Sequence, residues 1–110
     1  MTKAMTNHLT ELAERENIRV REFASCEELL SAPTPWNLNC LILDVNLPGM
    51  NGLDFLEGLR ARGFAGPTIV TTGHADPVVR RRTAEARAAL LEKPFEVFAL
   101  VNVVLKQLAG

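Results

Sequence analysis

CLILDVNLPGMNG, residues 40–52, decides the architecture. It opens with an unbroken apolar run, Cys40 to Leu43, that ends on a single carboxylate, Asp44. A strand with one wet face would alternate apolar and polar residues; a strand without a polar face belongs in a parallel sheet covered on both sides. The NLPGMNG stretch that follows is turn chemistry, and Asn51 is placed to cap a helix from Gly52 to about Arg62. Gly63 then suits the position just past that helix, where a left-handed backbone is needed.

The same punctuation recurs on the C-terminal side. TIVTT (68–72) reads as a second buried strand and GHAD (73–76) as a loop, with Asp76 capping the next helix and Pro77 at its first position. ALLE (89–92) reads as a third short strand ended by Lys93-Pro94. Val97, Leu100, Val101, Val104, Leu105 and Leu108 repeat at helical spacing over the last helix. Phe98 and Val103 lie off that stripe, an excess that would suit a dimer face. On the N-terminal side, Leu9, Leu12 and Ala13 have helical spacing within 5–16, and IRVREF (18–23) alternates like a half-buried strand. Ser25 and Glu28 form a capping box for a short helix ending near Ser31, and Pro33 and Pro35 make a loop around Trp36. Strands alternating with helices predict an open parallel sheet with helices on both faces, in a single domain over 1–110.

Composition excludes several classes. The chain has 110 residues, 47% hydrophobic and 23% charged, with 12 basic and 13 acidic side chains and a formal net charge of −1. That balance gives no bulk attraction to nucleic acid or to an anionic membrane surface. Apolar runs are far too short to span a bilayer, and MTKAMTNHLTELAEREN lacks the apolar core of a signal peptide, so a cytoplasmic location is expected. Cys26 and Cys40 read as small buried hydrophobes, not as a disulfide.

In sheets of this kind the C-terminal strand ends form the working edge. Asp44, Thr72 and Lys93 each fall at such an end. A carboxylate nucleophile beside a hydroxyl and an ammonium that can hold phosphoryl oxygens suits phosphoryl transfer to the carboxylate, with a divalent metal completing the set.

The strings LILDVNLPGMNGLDFL, IVTTGHAD and LLEKPF, in this order, resemble the receiver domain of two-component response regulators, closest to the FixJ type that ends in EKPF. The resemblance covers nearly the whole chain and implies a flavodoxin-like (CheY-like) α/β fold. It implies that a sensor histidine kinase phosphorylates Asp44 and that Asp44 and the Asn46 backbone carbonyl are Mg²⁺ ligands. It makes Thr72 the switch hydroxyl and Lys93 the phosphate contact, with a cis bond before Pro94. Leu90 takes the place where the family commonly has an aromatic switch residue.

Two departures qualify this picture. No Asp or Glu precedes Glu11, so the family's acidic pair is missing, which weakens the metal site. The first strand of the usual 2-1-3-4-5 order is missing as well, so the domain is expected to be truncated at its N-terminus. IRVREF would then pair directly with CLILDV, or a homodimer or strand-exchanged dimer would fill the gap. The second departure is the spacing between Thr72 and Lys93, one residue shorter than in the FixJ type. Glu85-Ala86 stands where the family has Ala-Gly, so the helix from Pro77 is expected to be shortened or re-registered.

The function expected from these residues is a phospho-acceptor signalling domain rather than an enzyme. The alternative is a pseudo-receiver that cannot be phosphorylated and serves as an interaction or dimerisation module. A phosphohydrolase of the haloacid-dehalogenase type would need a second acid two residues after Asp44; Asn46 stands there and cannot titrate. No DNA-binding segment follows Gly110, so nucleic acid is not an expected partner. Arg80, Arg81, Arg82 and Arg87 read first as a solvated helix face and second as a basic contact surface. His74 carries no ligand spacing, and His8 reads as an exposed helix residue.

Overall fold

The computed structural model describes residues 40–47 and 50–109, together with Glu11. The elements in chain order are β1 (Leu41–Asp44), β2 (Asn46–Leu47), β3 (Met50–Asn51), α1 (Gly52–Ala61), β4 (Thr68–Thr72), α2 (Pro77–Glu85), β5 (Ala89–Glu92) and α3 (Val97–Ala109). Glu11 is helical. The other expectations for 1–39 lie outside the described residues: IRVREF, the 25–31 helix, Cys26, Trp36, the absent first strand and the dimer that would replace it.

β1, β4 and β5 form a parallel sheet with β4 in the middle. Its register pairs Leu41 with Thr68 and Asp44 with Thr71 on one side of β4, and Ile69 with Ala89 and Thr72 with Glu92 on the other. All five residues of β4 are buried, as a strand covered on both faces requires. Period-2 alternation sends Leu41, Leu43, Val70 and Leu90 to one face, where they pack with Leu53, Leu56 and Leu59 of α1 and with Val79 and Ala86. Ile42, Ile69, Ala89 and Leu91 take the opposite face and pack on Leu100, Val101 and Val104 of α3. The sheet thus carries helices on both faces, as expected. Val103 belongs to this second core, whereas Phe98 is 64% exposed.

NLPGMNG is more than a turn. Asn46 and Leu47 pair antiparallel with Asn51 and Met50, a minimal hairpin that carries the chain from β1 straight into α1. The Asn51 side chain then caps α1, accepting from the amides of Leu53 (2.7 Å) and Asp54 (3.4 Å). At the other end Gly63 has φ +99°. Its amide donates to Arg60 O and that of Phe64 to Leu59 O, the paired bonds of a Schellman ending.

α2 starts as its sequence predicts, with Asp76 accepting from the Val79 amide at 2.8 Å and Pro77 in the first turn. It ends in a second Schellman motif, Arg87 N–H to Ala84 O and Ala88 N–H to Thr83 O. The left-handed residue here is Arg87, φ +57°, one position past Ala86.

Of the arginines of α2, Arg80 and Arg81 are exposed, as a solvated face predicts, whereas Arg82 is partly buried. Arg82 bridges to α1, with Nη2 2.6 Å from Asp54 Oδ1 and 2.7 Å from Glu57 Oε1. Hydrogen bonds to Glu57 and then Asp54 push its already high pKa further up. Arg81 pairs with Glu85 at 3.6 Å within the helix, and Arg80 with Glu92 at 3.9 Å.

Candidate functional site

Asp44 ends β1 beside the middle strand, held there by Val45 N–H donating to Thr71 O at 2.9 Å. Both of its carboxylate oxygens are engaged. Oδ1 accepts from the Asn46 backbone amide at 2.8 Å, and Oδ2 forms a close ion pair with Lys93 Nζ. Lys93 follows β5 on the far side of β4, so its side chain spans the C-terminal end of the middle strand to reach the carboxylate. Its backbone is fixed there by the Lys93 amide donating to Thr72 O at 2.7 Å. The Lys93–Pro94 peptide bond is cis. The side chains of Asp44 and Lys93 are 19% and 34% exposed, buried enough to be oriented and open enough to meet a solute.

Gly52 makes this arrangement sterically possible. Its amide donates to Val45 O at 2.6 Å, bringing the start of α1 against the end of β1. A Cβ on Gly52 would overlap the Asp44 carbonyl oxygen and lie 2.9 Å from the carbonyl carbon, well inside the 3.5–4.0 Å at which carbon atoms pack. The sequence marked Gly52 only as a helix start; the spacing Asp44…Gly52 around a tight turn is the one signal that hints at more.

Thr72 is buried at the end of β4, and its hydroxyl is turned to its own loop. Oγ1 accepts from His74 N–H at 3.1 Å and donates to His74 O at 3.2 Å. Thr71, its neighbour, hydrogen-bonds back to Leu43 O at 3.5 Å. Leu90 is half-buried against the α1 side of the core, on the same sheet face as Thr72. Asn46 is exposed. Asp44, Asn46 and Lys93 are therefore in contact, while Thr72 stands at the same edge with its proton committed locally. Glu92 is a participant that the sequence did not flag: its Oε2 accepts from the Ala75 amide at 3.0 Å.

Chemically this is a carboxylate with a backbone amide on one oxygen and an ammonium on the other, at a partly exposed strand edge. Among the described residues no group of three or more His, Cys, Asp or Glu side chains could hold a metal; what these residues offer a cation at this edge is Asp44 and backbone carbonyl. Mg²⁺ accepts such a sparse protein shell because it retains several waters. Among the described residues no helix is long and apolar enough to cross a membrane.

The family model for the response regulator receiver domain matches residues 2–105. The chain is 35% identical over 102 residues to the transcriptional regulatory protein FixJ of Azorhizobium caulinodans, covering 92% of this chain and 48% of that protein. It is also 35% identical over 103 residues to nodulation protein W of Bradyrhizobium diazoefficiens, covering 93% and 45%. It spans about half the length of these curated relatives. Among solved structures, a response regulator receiver protein from Pseudoalteromonas atlantica superposes with a TM-score of 0.84 at 29% identity, covering 99% of this chain and 92% of that one. The non-phosphorylated HemR receiver domain from Leptospira biflexa gives 0.86 at 23% identity, covering 98% and 88%, a likeness of fold. With a CheY-like sheet, Asp44 at its working edge and a family model over most of its length, the chain belongs to the response regulator receiver domain family.

Proposed function

We propose that this chain is the phospho-acceptor domain of a two-component pathway, receiving a phosphoryl group on Asp44 from a sensor histidine kinase. The observation that carries this reading is the Asp44 carboxylate held between the Asn46 amide and the Lys93 ammonium at an accessible strand edge. An Asp44 oxygen forms its bond to phosphorus as the phosphorus–nitrogen bond of the donor phosphohistidine breaks. The imidazole leaves with the bonding electron pair and takes up a proton. Lys93 moves from the carboxylate to the phosphoryl oxygens, where the charge accumulates. The Asn46 amide keeps the carboxylate oriented, and the Thr72 hydroxyl becomes a second phosphoryl ligand once it leaves His74. Asp44 and the Asn46 carbonyl would hold a Mg²⁺ ion, whose charge would offset that of the incoming phosphate.

A second reading is a pseudo-receiver that acts through its surface alone. What favours it is that, among the described residues, no group of three or more His, Cys, Asp or Glu side chains gathers to hold a metal. Incubation with Mg²⁺ and phosphoramidate, read by intact mass against Asp44→Asn, separates the two. A phosphoryl adduct on the wild-type chain and none on the variant is the expected result. No adduct on folded wild-type protein would refute the acceptor reading and favour the pseudo-receiver.

A further inference from the structure

The loop that leaves β4 is gripped from β5 as well as from within. Thr72 closes on His74, and the next amide, that of Ala75, donates to Glu92 Oε2 at 3.0 Å. Arg80, in the first turn of α2, donates from Nε to the Ala75 carbonyl at 2.9 Å, and its Nη2 lies 3.9 Å from Glu92 Oε1. Both backbone polar groups of Ala75 are thus held by two charged side chains that face each other. The acid of that pair is the chain neighbour of Lys93, whose own amide is tied to Thr72 O.

A hydroxyl carries one proton. If Thr72 is to donate to a phosphoryl oxygen on Asp44, it must release the His74 carbonyl, and the backbone between Thr72 and Ala75 must yield. Glu92 and Arg80 resist that movement from a site that touches neither the carboxylate nor the incoming group.

We propose that Glu92 is a positioning residue for the acceptor site: by clamping the Ala75 amide it keeps the Thr72 hydroxyl on His74, so that the clamp and a phosphoryl group on Asp44 oppose each other. The proposal rests on the reading of Asp44 as the acceptor. The side chains of Arg80 and Glu92 are 61% and 49% exposed, which limits the effect. A hydrogen bond of this kind changes an equilibrium by about fivefold.

The test is binding of beryllofluoride, an acyl-phosphate mimic, to the full chain in Mg²⁺, followed by fluorine NMR. Glu92→Ala is expected to bind the mimic about fivefold more tightly than wild type. Glu92→Gln keeps an oxygen for the Ala75 amide but loses the attraction to Arg80, and its gain is expected to be about twofold. In a Thr72→Ala background the gain disappears, because no hydroxyl has to be released; a plain loop staple would show no such dependence. If Glu92→Ala does not fold, Glu92→Gln decides alone. Wild type that binds the mimic while both Glu92 variants bind it no more tightly overturns the clamp and leaves the acceptor standing. Wild type that neither binds the mimic nor takes a phosphoryl group overturns both.

Discussion

Replacing Arg60 with methionine removes a guanidinium that ties together the C-terminal ends of both helices on one face of the sheet. Nε donates to Ala86 O at 2.9 Å, and Nη1 to Phe64 O at 3.0 Å and Gly66 O at 2.8 Å. Nη2 reaches Thr68 Oγ1 at 3.3 Å and Arg87 O at 3.5 Å. The guanidinium also sits over the Phe64 ring, 5.4 Å from its centre. Ala86 and Arg87 close α2, and Phe64 and Gly66 follow α1, so one side chain serves carbonyls around two helix ends, where intrahelical donors run out. The three shortest bonds, as charge-assisted contacts, contribute about 1.5 kcal/mol each. Part of that returns on truncation, because some of the carbonyls regain water. The guanidinium also carries a desolvation cost: burial, and after it the nearby Arg87, push its pKa down. The expected net loss is about 2–3 kcal/mol, a large share of the stability of a small domain. With a urea slope of about 1.5 kcal/mol/M, the midpoint should fall by about 1.3–2 M in an equilibrium melt followed by circular dichroism. Arg60→Lys keeps the charge but not the planar fork, and should lose about half as much. A methionine variant within about 0.5 kcal/mol of wild type would refute the clamp. A lysine variant equal to wild type would show that a positive charge at the helix ends suffices without the fork.

Three other perturbations test separate parts of the structure. Gly52→Ala places a methyl group against the Asp44 carbonyl; it should cost about 2 kcal/mol or more through overpacking and slow phosphoryl uptake on Asp44 in the same preparation, and unchanged stability would refute the close approach. Arg87→Gly relieves a left-handed backbone in a side-chain-bearing residue and should raise stability by about 0.5–1 kcal/mol, seen as a higher midpoint in scanning calorimetry; a lower midpoint would refute it. Burial raises the Cys40 thiol to about 11 from its ordinary 9.0. Folding then favours the protonated thiol, so this contribution is fully present below pH 9 and is lost as pH rises towards 11. Because Cys40 is only half-buried, the loss should be about 1–2 kcal/mol. Denaturant melts of wild type and Cys40→Ala across that range check it, and parallel pH profiles would contradict it.

What the sequence disclosed follows from how local each signal is. TIVTT and ALLE have the strand bounds read from them, because apolar runs between Pro67, Gly73 and Pro94 leave little choice of end. Asn51, Asp76 and Gly63 act within three residues of themselves, so their caps were legible too. Arg87 was not. A left-handed residue with a side chain is no one's local preference; it is accepted because Thr83 and Ala86 are buried where α2 must stop. Arg60 and Arg82 were opaque for another reason: their partners lie up to 27 and 28 residues away. A run of arginines reads as solvated until the opposite helix is in place.

The working edge divides along the same line. Asp44 and Lys93 could be placed together because each ends a strand whose neighbours the alternation of strands and helices had already implied. The direction of the Thr72 hydroxyl could not, since only the folded loop offers it both a donor and an acceptor at His74. Glu92 was hidden because acids at strand ends usually meet water, and its partner is a backbone amide, which leaves no mark in sequence. The two parts differ in what they can do. A pair such as Asp44 and Lys93 is fixed by strand register and, on the proposed function, would set which atoms react. A hydroxyl and a carboxylate that share a loop set how readily the surrounding backbone follows, and there a neutral substitution at residue 92 can tune the response without touching the reacting atoms.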